Sequence, residues 1–374
     1  MQDQREGQGP GRRLVLVGGG HAHAEVLRQF ARRPLPDTTL VLVAPQTLAP
    51  YSGMVPGWLA GQYRFEELCI DVAALARQAG AEHLAQAVTG LDAARGSLHL
   101  ADGRSLGYDL LSLNIGATLH PPEVPPAGRC LALRPLADLE RAWTALWADP
   151  WLVDDPAPLA VTMVGGGAAG VEVMLAVCAT LRRRLPQRTL LPRLVTRSDR
   201  LLPGMAEGAA RRAEAALAAA GVRVQRNTDA RPMLVRPARA PGLLLWAAGA
   251  QPHAWPVEGG LAADAAGFVQ VDAMLRSVSH PEVFAVGDAA AWAPPLPKAG
   301  VFAVRQGPVL AANLRAALLG MPLRPYRPQR RYLALLATAD GRAIAAWGTH
   351  AAQGQAFGWL KDRIDRDFIG RYRG

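Results

Sequence analysis

The feature that most limits what this chain can become is an apolar, strand-like run that ends in three glycines and opens into a helix-like segment. It is written twice. The first copy is LVLVGGGHAHAEVLRQF, with glycines at 18 to 20; the second is LAVTMVGGGAAGVEVMLAVCATL, with glycines at 165 to 167 and at 170. In Gly165-Gly166-Gly167-Ala168-Ala169-Gly170 the G-x-G-x-x-G spacing is complete. The first glycine permits the tight turn, the second lets backbone approach a pyrophosphate, and the third lets helix pack on strand. The helix start, at Ala168, offers free N–H groups and a positive dipole end to phosphates. The opening copy is a partial match: Gly18 and Gly20 fit, but the third position is His23. A histidine there must hold the helix slightly further from the strand, or turn outward.

His21 and His23 raise a metal site as a rival reading. Two residues apart at a helix start they point about 200° apart, and no Cys/His/Asp cluster follows nearby. No metal is therefore expected. His21, with Ala22 beside it, is placed by the phosphates or the ring system of a dinucleotide.

Around the two turns the pattern alternates strand and helix. HAEVLRQFARR is stopped by Pro34 and Pro36, and TTLVLVAP is a second buried strand. YSGMVPGWLAGQYRF reads as an irregular, ligand-covering loop. A helix is expected over Ile70 to Ala79, then a β-meander returning to a buried strand, YDLLSLNIG. The proline-rich HPPEVPPAG is an inter-domain connection. The 159–181 stretch is long and apolar, but Glu172 and its glycines make it strand, turn and helix rather than a membrane span. The fold class is α/β, with two Rossmann-like dinucleotide-binding domains. Late in the chain HPEVFAVGDAA is a strand ending in Gly287-Asp288, a carboxylate suited to the hydroxyls of a flavin's ribityl chain. The following helix, from about Val301, aims its N-terminal dipole at the flavin pyrimidine edge.

The net charge of +10 invites a nucleic-acid partner, but arginine supplies all but two of the 41 basic residues, which is composition bias more than a binding signal. No nucleic acid is expected. From Arg324 onward there are ten basic and four acidic residues, a candidate surface for anionic lipid. In AFGWLKDRIDRDFIGRYRG, Leu360, Ile364 and Phe368 share one helical face. That helix seats the protein on a membrane or packs on its own core or a partner subunit. Three scattered cysteines and no apolar leader before the first strand predict a reduced, cytoplasmic setting, with the inner membrane face left open.

VLVGGGHAH, YDLLSLNIGA, VTMVGGGAAGVE, LLLWAAGAQP and HPEVFAVGDAA together resemble the pyridine nucleotide-disulfide oxidoreductases. Within them the chain is similar to type II NADH dehydrogenases, sulfide:quinone reductases and the flavoprotein domain joined to selenide, water dikinase. The resemblance implies an FAD domain over 13–120 and 251–320, interrupted by an NAD(P) domain over 121–250. A flexible head (1–12) and a C-terminal region (321–374) flank them. Carried over, Gly18, Gly20 and Gly116 hold FAD, Val88 reaches the adenine through its backbone, and Ser52 and Gly53 lie near the isoalloxazine. Gly287 and Asp288 take the ribityl chain. Gly165, Gly167, Ala168, Gly170 and Gly249 hold NAD(P)H, Glu172 sits near the nicotinamide, and Lys298 stabilises reduced flavin. The implied activity is NAD(P)H oxidation, with electrons passed to a quinone or other small acceptor; a homodimer is compatible with it.

Departures qualify this. The acid usual at the end of the second strand falls near Ala44, and in the second unit near Thr196, followed by Arg197 and Arg200. Those arginines admit a 2′-phosphate, so NADPH stands beside NADH. The close cysteine pair of disulfide reductases is missing, and no cysteine follows Cys178. A sulfur- or selenium-handling oxidoreductase would have to use Cys69 or Cys130. A non-catalytic flavin-binding redox partner is the remaining alternative.

Overall fold

The structure is a computed structural model that describes residues 11–121, 128–153, 155–234 and 242–373. The head, apart from Gly11 and Arg12, and most of the proline-rich connection lie outside the described residues. Strand β1 (Arg12–Val17) is buried over its last four residues. That is the pattern of a parallel strand covered on both faces rather than an alternating one. Helix α1 (His21–Arg32) follows the glycine turn, and β2 (Thr38–Val43) returns beside β1 in parallel register. With β3 (Glu82–Leu84), β4 (Leu110–Leu113) and the late β10 (Val283–Ala285), these form a parallel sheet in the order β10-β4-β1-β2-β3. The meander before β4 is a separate three-stranded antiparallel sheet, as its alternation predicts.

The second sheet repeats the plan. It holds β5 (Gly128–Ala132), β6 (Leu159–Val164), β7 (Leu190–Val195), β8 (Arg223–Gln225) and β9 (Gly242–Trp246), in the order β5-β9-β6-β7-β8. Helix α3 (Ala168–Arg184) opens at its glycine turn, so the 159–181 stretch is strand, turn and helix. The same order of four strands in both sheets, β4-β1-β2-β3 and β9-β6-β7-β8, with a crossover helix after each glycine turn, is the doubly wound architecture. In it ligands sit beyond the carboxyl ends of the strands. The fifth strand is the last of its sheet in the chain in one case (β10) and the first in the other (β5).

The segment read as an irregular covering loop is partly helical and about half core. A 3-10 turn at Ser52–Met54 leads into α2 (Val55–Leu59), where Met54, Val55 and Leu59 are buried. Thr180 Oγ1 of α3 donates to Leu59 O (2.7 Å) and Arg183 donates to Ala60 O (3.0 Å). Pro56 at the helix start and apolar residues on one face explain why it folds. The helix expected from Ile70 starts at Val72, because the Asp71 carboxylate accepts the Ala74 N–H (2.7 Å) as its cap.

After α4 (Gly300–Leu318) come an antiparallel sheet (334–354) and α5 (Gln355–Gly370). The inward stripe of α5 differs from the expected one. Phe368 is buried, but Ile364 is 44% and Trp359 62% exposed. Asp365 and Ile369 take the inner face, and the Lys361 ammonium donates to Gly53 O and to Asp365, both at 2.7 Å. Residues four apart define more than one stripe, and here an ion pair occupies the inner one. The surface α5 keeps for a membrane is reduced to Trp359 and Ile364. Among the described residues no helix is long and apolar enough to cross one.

Candidate functional site

A cleft of about 420 Å³ opens at the carboxyl ends of β1 and β4, within the size range of ligand sites. One wall is the first glycine turn. Gly18 has φ +93°, and a Cβ there would lie 2.5 Å from Asn114 O; one on Gly20 would lie 2.2 Å from Asn114 Oδ1. Glycine is required because Asn114 leans on the turn. Its Oδ1 accepts the Ala22 N–H (3.1 Å) and its Nδ2 donates to Val286 O (3.5 Å). The amide of Ala22, expected to face a cofactor, is thus committed to protein. Asn114 itself is a residue sequence reasoning missed; its only signal is a lone carboxamide after the buried run LLSL.

His23 does not turn outward. It is fully buried, with Nδ1 2.6 Å from Gly18 O and Nε2 2.9 Å from Ser112 Oγ. His21 lines the cleft, edge-on to Tyr51 (centroids 5.3 Å) and against Phe368 of α5 (5.6 Å). Its Nε2 is shielded and has no hydrogen-bond partner among the described residues. Burial pulls both imidazoles down to about 4, so both are neutral at physiological pH. Among the described residues no group of three or more His, Cys, Asp or Glu side chains is placed to hold a metal.

Across the cleft Asp288 is ion-paired with Arg134, and both line it. Arg134 was also missed: its signal, one cation inside LALRPL, says nothing about a partner 154 positions away. Gly287 (φ +65°) donates its N–H to Gln306 Oε1 (2.7 Å). Helix α4 starts at Gly300, one residue before Val301, and Gly300 and Ala303 reach the cleft. Ser52, Val88 and Gly116 line it too; Gly53 instead gives its carbonyl to Lys361. Lys298 lies just before α4. Its ammonium donates to the carbonyls of Asp288 (2.9 Å) and Ala290 (2.8 Å) and sits 3.6 Å over the Phe268 ring. Burial lowers its pKa.

In the second unit Gly165 has φ +122°, and a Cβ on Gly170 would lie 1.9 Å from Gly165 O. Gly167 and Gly249 face open space. Beyond β7, Thr196 Oγ1 accepts the Ser198 N–H (3.2 Å), Arg197 is exposed, and Arg200 donates to Met205 O.

Glu172 lies where α3 meets the C-terminal region. Its carboxylate accepts the Ala337 N–H (2.8 Å), and burial pushes it up to about 7 against the pull of Lys361. Burial alone would lower the Lys361 ammonium, but Glu172 and Asp365 hold it above its usual range. Tyr51, raised by burial and by Asp365, links this charged knot to the ring of His21.

Solved structures with a similar fold include several oxidoreductases by name. The whole-chain likeness includes the sulfide:quinone oxidoreductase of Aquifex aeolicus, at 16% identity and TM-score 0.77, covering 97% of this chain and 91% of that one. NDH2 of Plasmodium falciparum matches at 12% identity and TM-score 0.72, over 96% and 97%. A ferredoxin reductase of Rhodopseudomonas palustris matches at 16% identity and TM-score 0.70, over 95% of each chain. At these identities the likeness speaks for the fold. The family described as pyridine nucleotide-disulphide oxidoreductase matches residues 12–307, which span both glycine turns and the Gly287-Asp288 corner. With a turn and sheet of that kind present twice and in the family's order, the chain belongs to the pyridine nucleotide-disulphide oxidoreductases.

Proposed function

We propose that this chain is an FAD-dependent NAD(P)H oxidoreductase that passes electrons to a quinone or another small acceptor. The observation that carries it is the cleft walled by the Gly18–Gly20 turn, the Arg134–Asp288 pair and the start of α4. The turn presents three residues without side chains to the cleft, which suits a pyrophosphate lying against backbone. FAD, when bound, supplies the change between two-electron and one-electron chemistry.

The chain's own residues position and shield. Gly18, Gly20 and Gly116 present backbone, Arg134 brings a cation to the pyrophosphate, and Asp288 offers acceptors to ribityl hydroxyls. Val88 offers main chain to the adenine end. The α4 start directs its dipole at the far end of the cleft, while Tyr51, His21 and Phe368 exclude water there. Gly165, Gly167 and Gly170 suit the nicotinamide dinucleotide, with Arg197 free to meet a 2′-phosphate. Glu172, titrating near neutrality beside Lys361, can hold and release one of the protons a reduced quinone takes up.

The cysteines give the sulfur or selenium reading no support. Cys69 and Cys178 are buried, and burial pushes the thiols up, Cys69 to about 12 and the other two to about 11; none lines the cleft.

The test is anaerobic: FAD-loaded protein is mixed with NADH or NADPH and the flavin absorbance followed. Rapid bleaching by at least one of them is expected. If neither bleaches it, the reading fails and a non-catalytic flavin protein takes its place.

A further inference from the structure

Within the stretch from Arg324 onward, most of the unpaired basic charge sits ahead of the terminal helix rather than on it. From Arg324 onward, each of the four acidic residues is matched: Asp340 with Arg342, Asp365 with Lys361, Asp367 with Arg363, and Asp362 with Arg366. Arg324, Arg327, Arg330 and Arg331 form no ion pair within 4.0 Å among the described residues. They lie together in a segment between α4 and the last sheet that is neither helix nor strand.

That segment has a period of three: Pro322-Leu323-Arg324, Pro325-Tyr326-Arg327, Pro328-Gln329-Arg330. Each proline fixes its own φ and pushes the residue before it into the extended region. Two residues in three are thereby held to polyproline II, which has three residues per turn. The three triplet positions become three rows, and burial follows them. Arg324, Arg327 and Arg330 are exposed, Tyr326 is buried, and Leu323 and Gln329 are half-buried.

The strap is pinned at intervals along α4. Asn313 donates to Arg324 O and accepts the Arg324 N–H, both at 2.8 Å. The Tyr326 N–H donates to Ala273 O (2.7 Å), and its ring meets Trp292 at 5.5 Å. Tyr332 packs edge-on against Phe302 at 5.8 Å, in the first turn of α4, whose Gly300 lines the cleft. The strap therefore runs back along α4 toward the cleft, its outer arginines about 9 Å apart. Arg305, exposed on α4 near Tyr326, adds a further cation.

Guanidiniums held at fixed spacing by a stiff backbone lose little freedom on binding. They favour planar carboxylates, which they meet two bonds at a time. Between Arg324 and Arg331 the outer row carries no large apolar side chain to insert into lipid. We propose that this Pro-x-Arg strap is a docking surface for a protein partner with an acidic face, held beside the cleft end of α4. That the partner receives electrons there rests on the oxidoreductase reading; the docking itself does not.

The experiment uses the full chain with its flavin and fluorescein-labelled poly-L-glutamate, followed by anisotropy at about 50 and about 200 mM salt. Binding that weakens with salt is expected. The triple variant Arg324→Glu/Arg327→Glu/Arg330→Glu should bind about tenfold more weakly or worse. Reversing the paired Arg342 and Arg363 to Glu should change binding far less. No binding by the wild type, or equal binding by the strap variant, overturns the proposal. So does tighter binding of phosphatidylglycerol vesicles or a single-stranded oligonucleotide than of poly-L-glutamate. Flavin bleaching by NADH and NADPH, recorded on the same samples, should be unchanged in the strap variant. A wild type that neither nicotinamide bleaches defeats the oxidoreductase reading and leaves the binding result standing.

Discussion

The two glycine turns perform the same local task with different third residues. In the second, Gly170 presses so close to Gly165 O that no side chain has room. In the first, His23 fills the corresponding space and replaces close packing with hydrogen bonds to Gly18 O and Ser112 Oγ. The third position of the turn can therefore be met by absence or by a buried, satisfied ring. The neighbouring strand ends differ as well. β2 leads into a buried Ala44, whereas β7 leads through Thr196 to the exposed Arg197.

The largest expected effect comes from breaking the tighter turn. Gly170→Ala should lose about 3 kcal/mol or more, because the clash is with backbone that cannot move aside. Urea unfolding and an NADPH titration would show it; wild-type values for both would mean that the turn can open. In the looser turn the effect is one of pH. His23 has an unfolded pKa near 6.5 and a folded one of about 4, so folding is favoured while it is neutral. That stability is fully present above about 6.5 and is lost as the pH falls toward 4, by up to about 3 kcal/mol. Melting curves between pH 7.5 and pH 4.5 should fall less steeply for His23→Gln than for wild type.

His23→Gly makes the first turn look like the second and should not imitate it. It leaves a void and an unpartnered Ser112 hydroxyl, at a cost of about 2 kcal/mol, with easier loss of flavin on dialysis. A gain in stability would show that the histidine is dispensable filler. The smallest effect belongs to the strand ends: Arg197→Ala should raise the KM for NADPH roughly tenfold and leave that for NADH nearly unchanged. Equal changes for both would remove the arginine from the choice of nicotinamide.

The architecture was readable in the sequence because each glycine turn sits between a buried strand and a helix, a purely local pattern. His23 was legible as a departure, but its resolution was not, since Ser112 lies 89 positions away. The same holds for Arg134 with Asp288, and for Lys361, whose partners include the carbonyl of Gly53. Lys298 shows the limit from the other side. Its position before α4 suggested chemistry, but could not show that its ammonium donates to two carbonyls of the adjoining loop. The α5 stripe misled because a four-residue period cannot say which of two faces is inner, and an ion pair holds that face as firmly as leucines would.

The packing of Phe368 against Tyr51 and His21 has a consequence for synthesis. The first glycine turn leaves the ribosome well before its sheet is complete, because β10 joins only some 170 residues after β4. The aromatic wall beside His21 arrives later still, with residue 368. At translation rates of about 5 to 20 residues per second, the cleft waits many seconds half-built. During that interval its walls are apolar strand ends that a chaperone can cover. A cofactor captured before residue 368 emerges would be held without the aromatic wall beside His21.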